Sequence, residues 1–516
     1  MGTESDDFFS SITEFDNSKD YQGLVGYLAS RAWDINAVSF SVYRLLTEKR
    51  YQAAYIISKA FINSGFQHSI LQFAQAIGGV TFGNADDEAQ GTASLATMMD
   101  HISPEQYMTF YNQVMAPSLF SLTESALMAN DHGKLMRLLD ILKAGSPRFR
   151  NIFDFSDEAP VPTLADIRRR GHEQAKLIKF ASPPAGSPRP VRHAVIAIRE
   201  LFFPQNQNSR PIDTGPRLYT AMNNYGWRTT FYPMKWGTNL SEDYRTIAEI
   251  CEKEQADLLV FDDHLIEHAS SHQPRAQMIE HIRQTAPSLK IVALQLDSWV
   301  IDPGIMINAA TSVDTVWAFS PSLSVWDHPV FAGKVLQLPV PHAGNFIRPN
   351  KLLSSRIVFD GTLKGYNWHR VFWWAASLRE GLPIDWYLSH HISDGLSALD
   401  SYASYMNRLS DRLCSLSLSM RPNLSLVLTG RVFESFMSGT LLVQEASPDM
   451  DYYFISGEHY LSFSTFSELR AIGRFIAERP EEAEEIRRAG NEFAFTHYSD
   501  DKLIGYLDKH LFYPDH

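Results

Sequence analysis

The sequence predicts an α/β protein of two Rossmann-like domains facing across a cleft, preceded by an all-α helical domain. Three observations predict it. The segment Ala181-Ser182-Pro183-Pro184-Ala185-Gly186-Ser187-Pro188-Arg189-Pro190 is too rich in proline and small residues for regular structure and reads as an extended connector. Nine of the ten tryptophans lie beyond it, with only Trp33 before, so the two sides differ in composition. After it, short apolar strands alternate with amphipathic helices, and that rhythm restarts around Pro341 to Pro349. The chain is thereby divided into a helical domain (1–180), a linker (181–190), a first α/β domain (191–345), a second α/β domain (346–498) and a C-terminal helix and tail (499–516).

Before the linker the periodicity is helical. From Tyr51 to Ser64, Ala53, Ile57, Ala60 and Phe61 form one apolar stripe, ended by Gly65. From Gly133 to Ala144, Leu135, Leu138, Leu139 and Leu142 share a face, with Gly145 and Pro147 as stop signals. Short turns at 47–50 and 129–132 suggest antiparallel helix pairs similar to tetratricopeptide repeats. A steady period of about 34 residues is missing, and a generic helical bundle fits equally. After the linker, strands are expected at His193 to Ile198, Arg228 to Tyr232, Asp257 to Phe261, Lys290 to Leu294, Thr315 to Phe319 and Lys334 to Leu338. The second set is Arg356 to Phe359, Asp385 to Ser389, Arg412 to Leu418, Thr440 to Val443 and Tyr460 to Phe463. In such sheets ligands bind beyond the carboxyl ends of the strands.

Composition narrows the partners. At 516 residues the chain has ample length for several cores, and 44% hydrophobic with 20% charged residues describes an ordinary globular protein. A net charge of −13 argues against nonspecific binding to nucleic acid or anionic lipid, so an anionic ligand must meet a local positive site. Apolar runs such as Val371 to Ala376 are soon broken by charge, too short to span a bilayer. The acidic start, Met1 to Asp7, lacks the basic and apolar regions of a secretory signal, and the expected location is cytoplasmic. Cys251 and Cys414 fit neither a disulfide framework nor a zinc site and read as buried thiols.

The most informative stretch runs from Thr429 to Val443 and reads as loop, short helix and buried strand. Arg431, Glu434, Ser435 and Ser438 fall on one helical side, while Val432, Phe433, Phe436 and Met437 take the other. A helix of that kind presents an arginine, a glutamate and its first free N–H groups to a cleft. Phosphate is favoured by the N–H groups and dipole, Arg431 adds charge-assisted hydrogen bonds, and a carboxylate one turn later accepts from both hydroxyls of a ribose. The alternative from pattern alone is a solvated helix face.

Further residues carry a resemblance. Gly430 to Glu434, Ser438 to Leu442, Pro448 to Phe454, Gly457 to His459, and the run from Arg479 to Gly490 with His497-Tyr498 resemble the C-terminal half of group 1 glycosyltransferases with the GT-B fold, especially the branch related to spore-maturation protein CgeB. The likeness covers roughly 356–511 well, extends over 193–345 as element order only, and leaves the first 180 residues uncovered. It implies a hexosyltransferase-type enzyme that takes a nucleotide-sugar, such as a UDP-sugar, on the second α/β domain and an acceptor on the first. Glu434 is then expected on the donor ribose, with Thr429, Gly430 and Arg431 against its phosphates. In the loop after the first strand of that domain, Gly361, Thr362 and Lys364 are expected against the diphosphate. Many relatives carry an acid on the transferred sugar eight positions before the glutamate, where this chain has Leu426.

Glycosyl transfer requires a stabilised leaving diphosphate, relief of charge on an oxocarbenium-like ring, and removal of a proton from the acceptor. Arg431, Lys364 and a helix N-terminus serve the first need with no metal and no cofactor beyond the co-substrate. For the base, the strand-end loops of the first α/β domain offer Asp213, then Asp263 and His264, then Asp297 beside Trp299, and each equally suits an ordinary cap or turn. His264 and Asp297 are the leading pair. A rival chemistry places manganese on Asp262-Asp263 or on Asp449 and Asp451, and other readings keep the GT-B shape for epimerisation or for binding without turnover. The helical domain is expected to bind an acceptor protein, as in protein glycosylation, or to buttress the transferase or form a homo-oligomer.

Overall fold

The computed structural model describes residues 2–30, 33–156, 159–178, 191–203, 208–211, 213–234, 240–262, 273–295, 303–318, 320–344, 354–361, 363, 367–388, 398–421 and 424–513. The connector 181–190 lies outside them. Helices alone occupy the first part, from Gly2–Ser18 to Leu164–Gln174, with a π-turn at Tyr111–Met115. The stripe expected after Tyr51 is buried at Ala53, Ile57 and Phe61 in helix Tyr51–Asn63. Helix His132–Gly145 buries Leu135, Leu138, Leu139 and Leu142, and Asp131 caps it by accepting from the Lys134 N–H. The helix stops at Gly145 as expected, and Pro147 is also a start. It opens helix Pro147–Ile152 behind the Ser146 cap, where a missing N–H costs nothing.

Two sheets follow. The first contains β1 (His193–Phe203), β2 (Asn208–Pro211), β3 (Arg228–Met234), β4 (Leu258–Asp262), β5 (Lys290–Gln295), β6 (Thr315–Ala318) and β7 (Val335–Gln337). Its parallel part runs β3-β1-β4-β5-β6-β7, while β2 folds back antiparallel on the end of β1. The second contains β8 (Ser354–Gly361), β9 (Ile384–Leu388), β10 (Arg412–Ser417), β11 (Leu441–Glu445) and β12 (Leu461–Phe463), in the all-parallel order β9-β8-β10-β11-β12. All expected strands are present, within a residue or two except that β1 runs five residues past the expected Ile198. Strand β2 was not expected, because Asn208 to Pro211 carries turn residues and a proline.

Strand alternation separates three cores. Val195, Ala197, Leu259 and Phe261 point into a core of their own with helices of the first domain. Ala194, Ile196, Ile198 and Val260 point the other way, into a core shared with Val358, Leu442 and helix Gly430–Met437 of the second domain. Ile357, Phe359, Leu416 and Val443 take the far face of the second sheet, and their core is continuous with that of the helical domain. Helix Asp500–Phe512 then returns to the first domain, where Asp508 accepts from Arg192 Nε at 2.9 Å. Among the described residues no helix is long and apolar enough to cross a membrane.

Candidate functional site

The order of the second sheet reverses between β8 and β10, and at such a switch point neighbouring loops diverge and leave a crevice. Helix Gly430–Met437 begins there. Val432, Phe433, Phe436 and Met437 are buried and seat it on the sheet. Thr429, at the N-cap in extended conformation, makes no side-chain cap; its hydroxyl lies 3.3 Å from that of Ser417. The first N–H groups of the helix therefore lack a side-chain acceptor at its cap. Ser435 and Ser438, expected on the open polar side, are buried instead. Ser435 Oγ donates to the Arg431 carbonyl (2.7 Å) and meets Ser415 Oγ at 2.5 Å, so its polarity is satisfied against β10.

Arg431 turns to the second sheet, and Glu434 meets the neighbouring domain. Arg431 donates through Nη2 to the Asp360 carbonyl and through Nε to Tyr405 Oη (3.3 Å), with its guanidinium 4.8 Å from the Phe359 ring. Gly361 permits this, since a Cβ there would lie 2.7 Å from Arg431 Nη2. Glu434 accepts from Tyr405 Oη at 2.8 Å and from Arg217 Nη1 at 3.4 Å. Arg217 comes from helix Thr214–Asn224 of the first domain, which Gly215 lets approach the sheet; a Cβ there would sit 2.5 Å from Phe231. The same Nη1 lies 3.5 Å from Asp213, and the guanidinium 4.5 Å from the Tyr402 ring. Tyr402 Oη is 2.8 Å from His342 Nδ1, on the segment joining the two sheets.

Burial sets the electrostatics. It raises the Glu434 pKa, opposed first by Arg217 and then by the Tyr405 hydrogen bond. Burial pushes His342 well below its ordinary value, and Arg217 adds to this, so the imidazole is neutral. Arg370, also buried, opens helix Arg370–Arg379 and donates to the Leu418 carbonyl at 3.2 Å. Its Nε has no hydrogen-bond partner among the described residues. Burial, then Arg421 and Arg431, hold its pKa well below the guanidinium norm. Glu445 is the nearby counter-charge, but it already accepts from the Ser419 and Met420 N–H groups at 2.7 and 2.9 Å. Arg370, Arg421 and Arg431 thus gather beside one another in a chain of net charge −13.

Of the expected site residues, Gly361, Thr429, Gly430, Arg431 and Glu434 come together here. Thr362, Lys364, His264 and Asp297 lie outside the described residues, as does Asp263. Asp213 is half-buried beside Arg217. Leu426 pairs with Met420 in a short bridge and packs on the core, which leaves no charge at that position. Asp449 accepts from the Ser322 N–H of the first domain (2.8 Å) and the Leu428 N–H (3.1 Å), and the Asp451 carbonyl accepts from the Lys176 N–H (2.7 Å). The Asp449 carboxylate and the Asp451 backbone thus tie segments together. Among the described residues no group of three or more His, Cys, Asp or Glu side chains is arranged to hold a metal. Sequence reasoning missed Arg217, Tyr402, Tyr405, His342 and Arg370. The available signals were slight: a cation in the first turn after Asp213, two tyrosines at i, i+3, and a basic residue opening an aromatic helix.

Residues 390–506 match the profile of a family described as glycosyl transferase-like. The architecture, two parallel-sheet α/β domains with a crossing C-terminal helix, is the GT-B one, with a helical region placed before it. Solved structures similar in fold include sucrose-phosphate synthase from Thermosynechococcus elongatus, 11% identical, covering 63% of this chain and 100% of that one with a TM-score of 0.41. A glycosyltransferase from Rickettsia africae ESF-5 is 9% identical and covers 62% and 98%, with a TM-score of 0.39. An alpha-glucosyltransferase in complex with UDP-glucose and DNA containing an abasic site is 11% identical and covers 61% and 98%, also at 0.39. No curated protein matches the chain in sequence.

Proposed function

We propose that the protein is a glycosyltransferase that takes a nucleotide-sugar at the carboxyl edge of the second sheet and transfers the sugar, without a bound metal, to a protein or glycan acceptor. One observation carries the reading: Arg431 and Glu434 stand together at the switch point of the second sheet, within the glycosyl transferase-like segment, and Glu434 meets Arg217 of the first domain. The helix N-terminus and Arg431 suit a diphosphate. Glu434 suits a ribose diol one turn further on. Arg370, a buried guanidinium, would supply positive charge to a departing diphosphate, which is preorganised leaving-group stabilisation.

Asp213 is a candidate for deprotonating the acceptor from the first domain, alongside His264 and Asp297. Its carboxylate lies 3.5 Å from Arg217 Nη1. The helical domain, joined to the donor side through a common core, would then extend the surface on which a large acceptor rests.

The test is incubation with a panel of nucleotide-sugars, UDP-sugars first, with chelator present, following free nucleoside diphosphate. Release supports transfer or hydrolysis. An isomerised donor would identify an epimerase, and thermal stabilisation without turnover would leave a binding protein. Loss of release on adding chelator would remove the metal-independent part of the reading.

A further inference from the structure

We infer that Arg217 is a positioning residue for the donor: reaching across from the first domain, it holds the Glu434 carboxylate in the orientation that receives the ribose hydroxyls. The donor site is then complete only when both α/β domains are in place. This inference rests on the donor reading above.

The two oxygens of Glu434 are held from different domains. Oε2 takes the Tyr405 hydroxyl at 2.8 Å from its own domain, and Oε1 faces Arg217 Nη1 at 3.4 Å from the other. A carboxylate has roughly four acceptor positions, so each oxygen retains one for a sugar hydroxyl. Arg217 is itself held. Its guanidinium lies near both the Tyr402 ring and Asp213, the Tyr402 hydroxyl meets His342 Nδ1, and the His342 backbone N–H donates to Asp500 Oδ1 at 2.7 Å. The chain of contacts therefore runs from the carboxylate to the segment that joins the domains.

Stability alone does not explain the pair. Glu434 and Arg217 side chains are 14% and 7% exposed, and a buried ion pair is often no better than hydrophobic packing. The groups facing Glu434 are Arg217 and Asp213 from the first domain, Tyr402 and Tyr405 from helix Ala398–Ser410, and Arg431 on its own helix. Arg217 is the largest influence keeping the carboxylate ionised against burial. Without it, Glu434 takes up a proton at higher pH, and the acidic limit of nucleotide binding moves upward.

The test uses the full chain as wild type, Arg217→Gln and Arg217→Lys, titrated calorimetrically with nucleoside diphosphates and their 2′,3′-dideoxy forms across acidic to mildly basic pH. Arg217→Gln is expected to weaken binding of the ribose form about tenfold, as for loss of a charged hydrogen bond, and to leave the dideoxy form unchanged. It should also raise the acidic limit, and Arg217→Lys should recover part of both. Equal losses for both nucleotides, or an unmoved pH limit, would make Arg217 a structural residue only. If the glutamine variant does not fold, the lysine variant carries the same comparison. Wild type that binds no nucleoside diphosphate would overturn the donor reading itself; wild type that binds while the variant matches it would overturn this inference alone.

Discussion

The two α/β domains share a plan, a parallel sheet with helices on both faces, but differ in what lies behind them. The first completes its outer face with its own helices: Tyr244, Ile247, Ala248 and Cys251, then Ile279, Ile282, Met306 and Ala310, cover Val195, Leu259 and Ile291. The second carries a further layer. Phe153 of the helical domain lies 4.9 Å from Trp373 and 6.4 Å from Phe466, and His132 lies 4.6 Å from Trp374. Arg148 reaches the Leu424 carbonyl at 2.6 Å, in the loop leading to helix Gly430–Met437. The helical domain is therefore built into the back of the second domain. The first domain is joined to the second by polar ties as well, Arg217 to Glu434 and Ser322 to Asp449, in addition to the shared core.

The largest expected effect breaks that shared layer. Phe153→Ala should cost about 3–5 kcal/mol, since an aromatic side chain with 0% exposure leaves a cavity between the helical and second domains. Denaturant unfolding checks it, with tryptophan emission as reporter because only Trp33 precedes the linker. Unfolding of the second domain that stays put would mean that the helical domain is independent.

Next comes acid. Burial lowers the His459 pKa to about 4, below the ordinary 6.5, while its ring stacks on Phe493 at 4.2 Å. The unfolded chain takes up this proton first as pH falls through 6.5, so stability is lost progressively down to about 4, by roughly 3 kcal/mol at most. Melting curves of wild type and His459→Asn across that window should converge at acidic pH. Parallel curves would show that the histidine does not set the acid sensitivity of this domain.

Glu434→Ala is smaller, weakening nucleotide binding by about 1–3 kcal/mol, the range of a charged hydrogen bond. Calorimetry with a nucleoside diphosphate measures it, and equal affinity would take Glu434 out of the site. The smallest effect has the opposite sign. Arg370→Met should stabilise the empty protein by about 1 kcal/mol, because it removes a buried cation with few partners, while weakening diphosphate binding. A destabilised variant with unchanged affinity would make Arg370 a structural residue of the second domain only.

Legibility in the sequence followed the range of the interaction. Strands were readable because buried parallel strands are short apolar runs, as in Leu258 to Phe261 with flanking turn residues. Arg431 and Glu434 were readable because they lie one turn apart on one helix. Ser435 was misread, since helical periodicity ranks residues by polarity and has no knowledge of the Ser415 hydroxyl that meets it. Arg217 was invisible because its partner stands 217 residues further along the chain.

By itself the sequence determined the division into helical and α/β parts, the strand succession, and the amphipathic helix with its arginine and glutamate. These depend on propensity and on periods of two or about 3.6 residues, which are local properties. Only the tertiary structure decided that the helical domain fuses with one sheet, that Arg370 stands as a buried cation, and that Glu434 is held from both domains. Burial and long-range pairing create these features, and both arise only when distant segments meet in low dielectric.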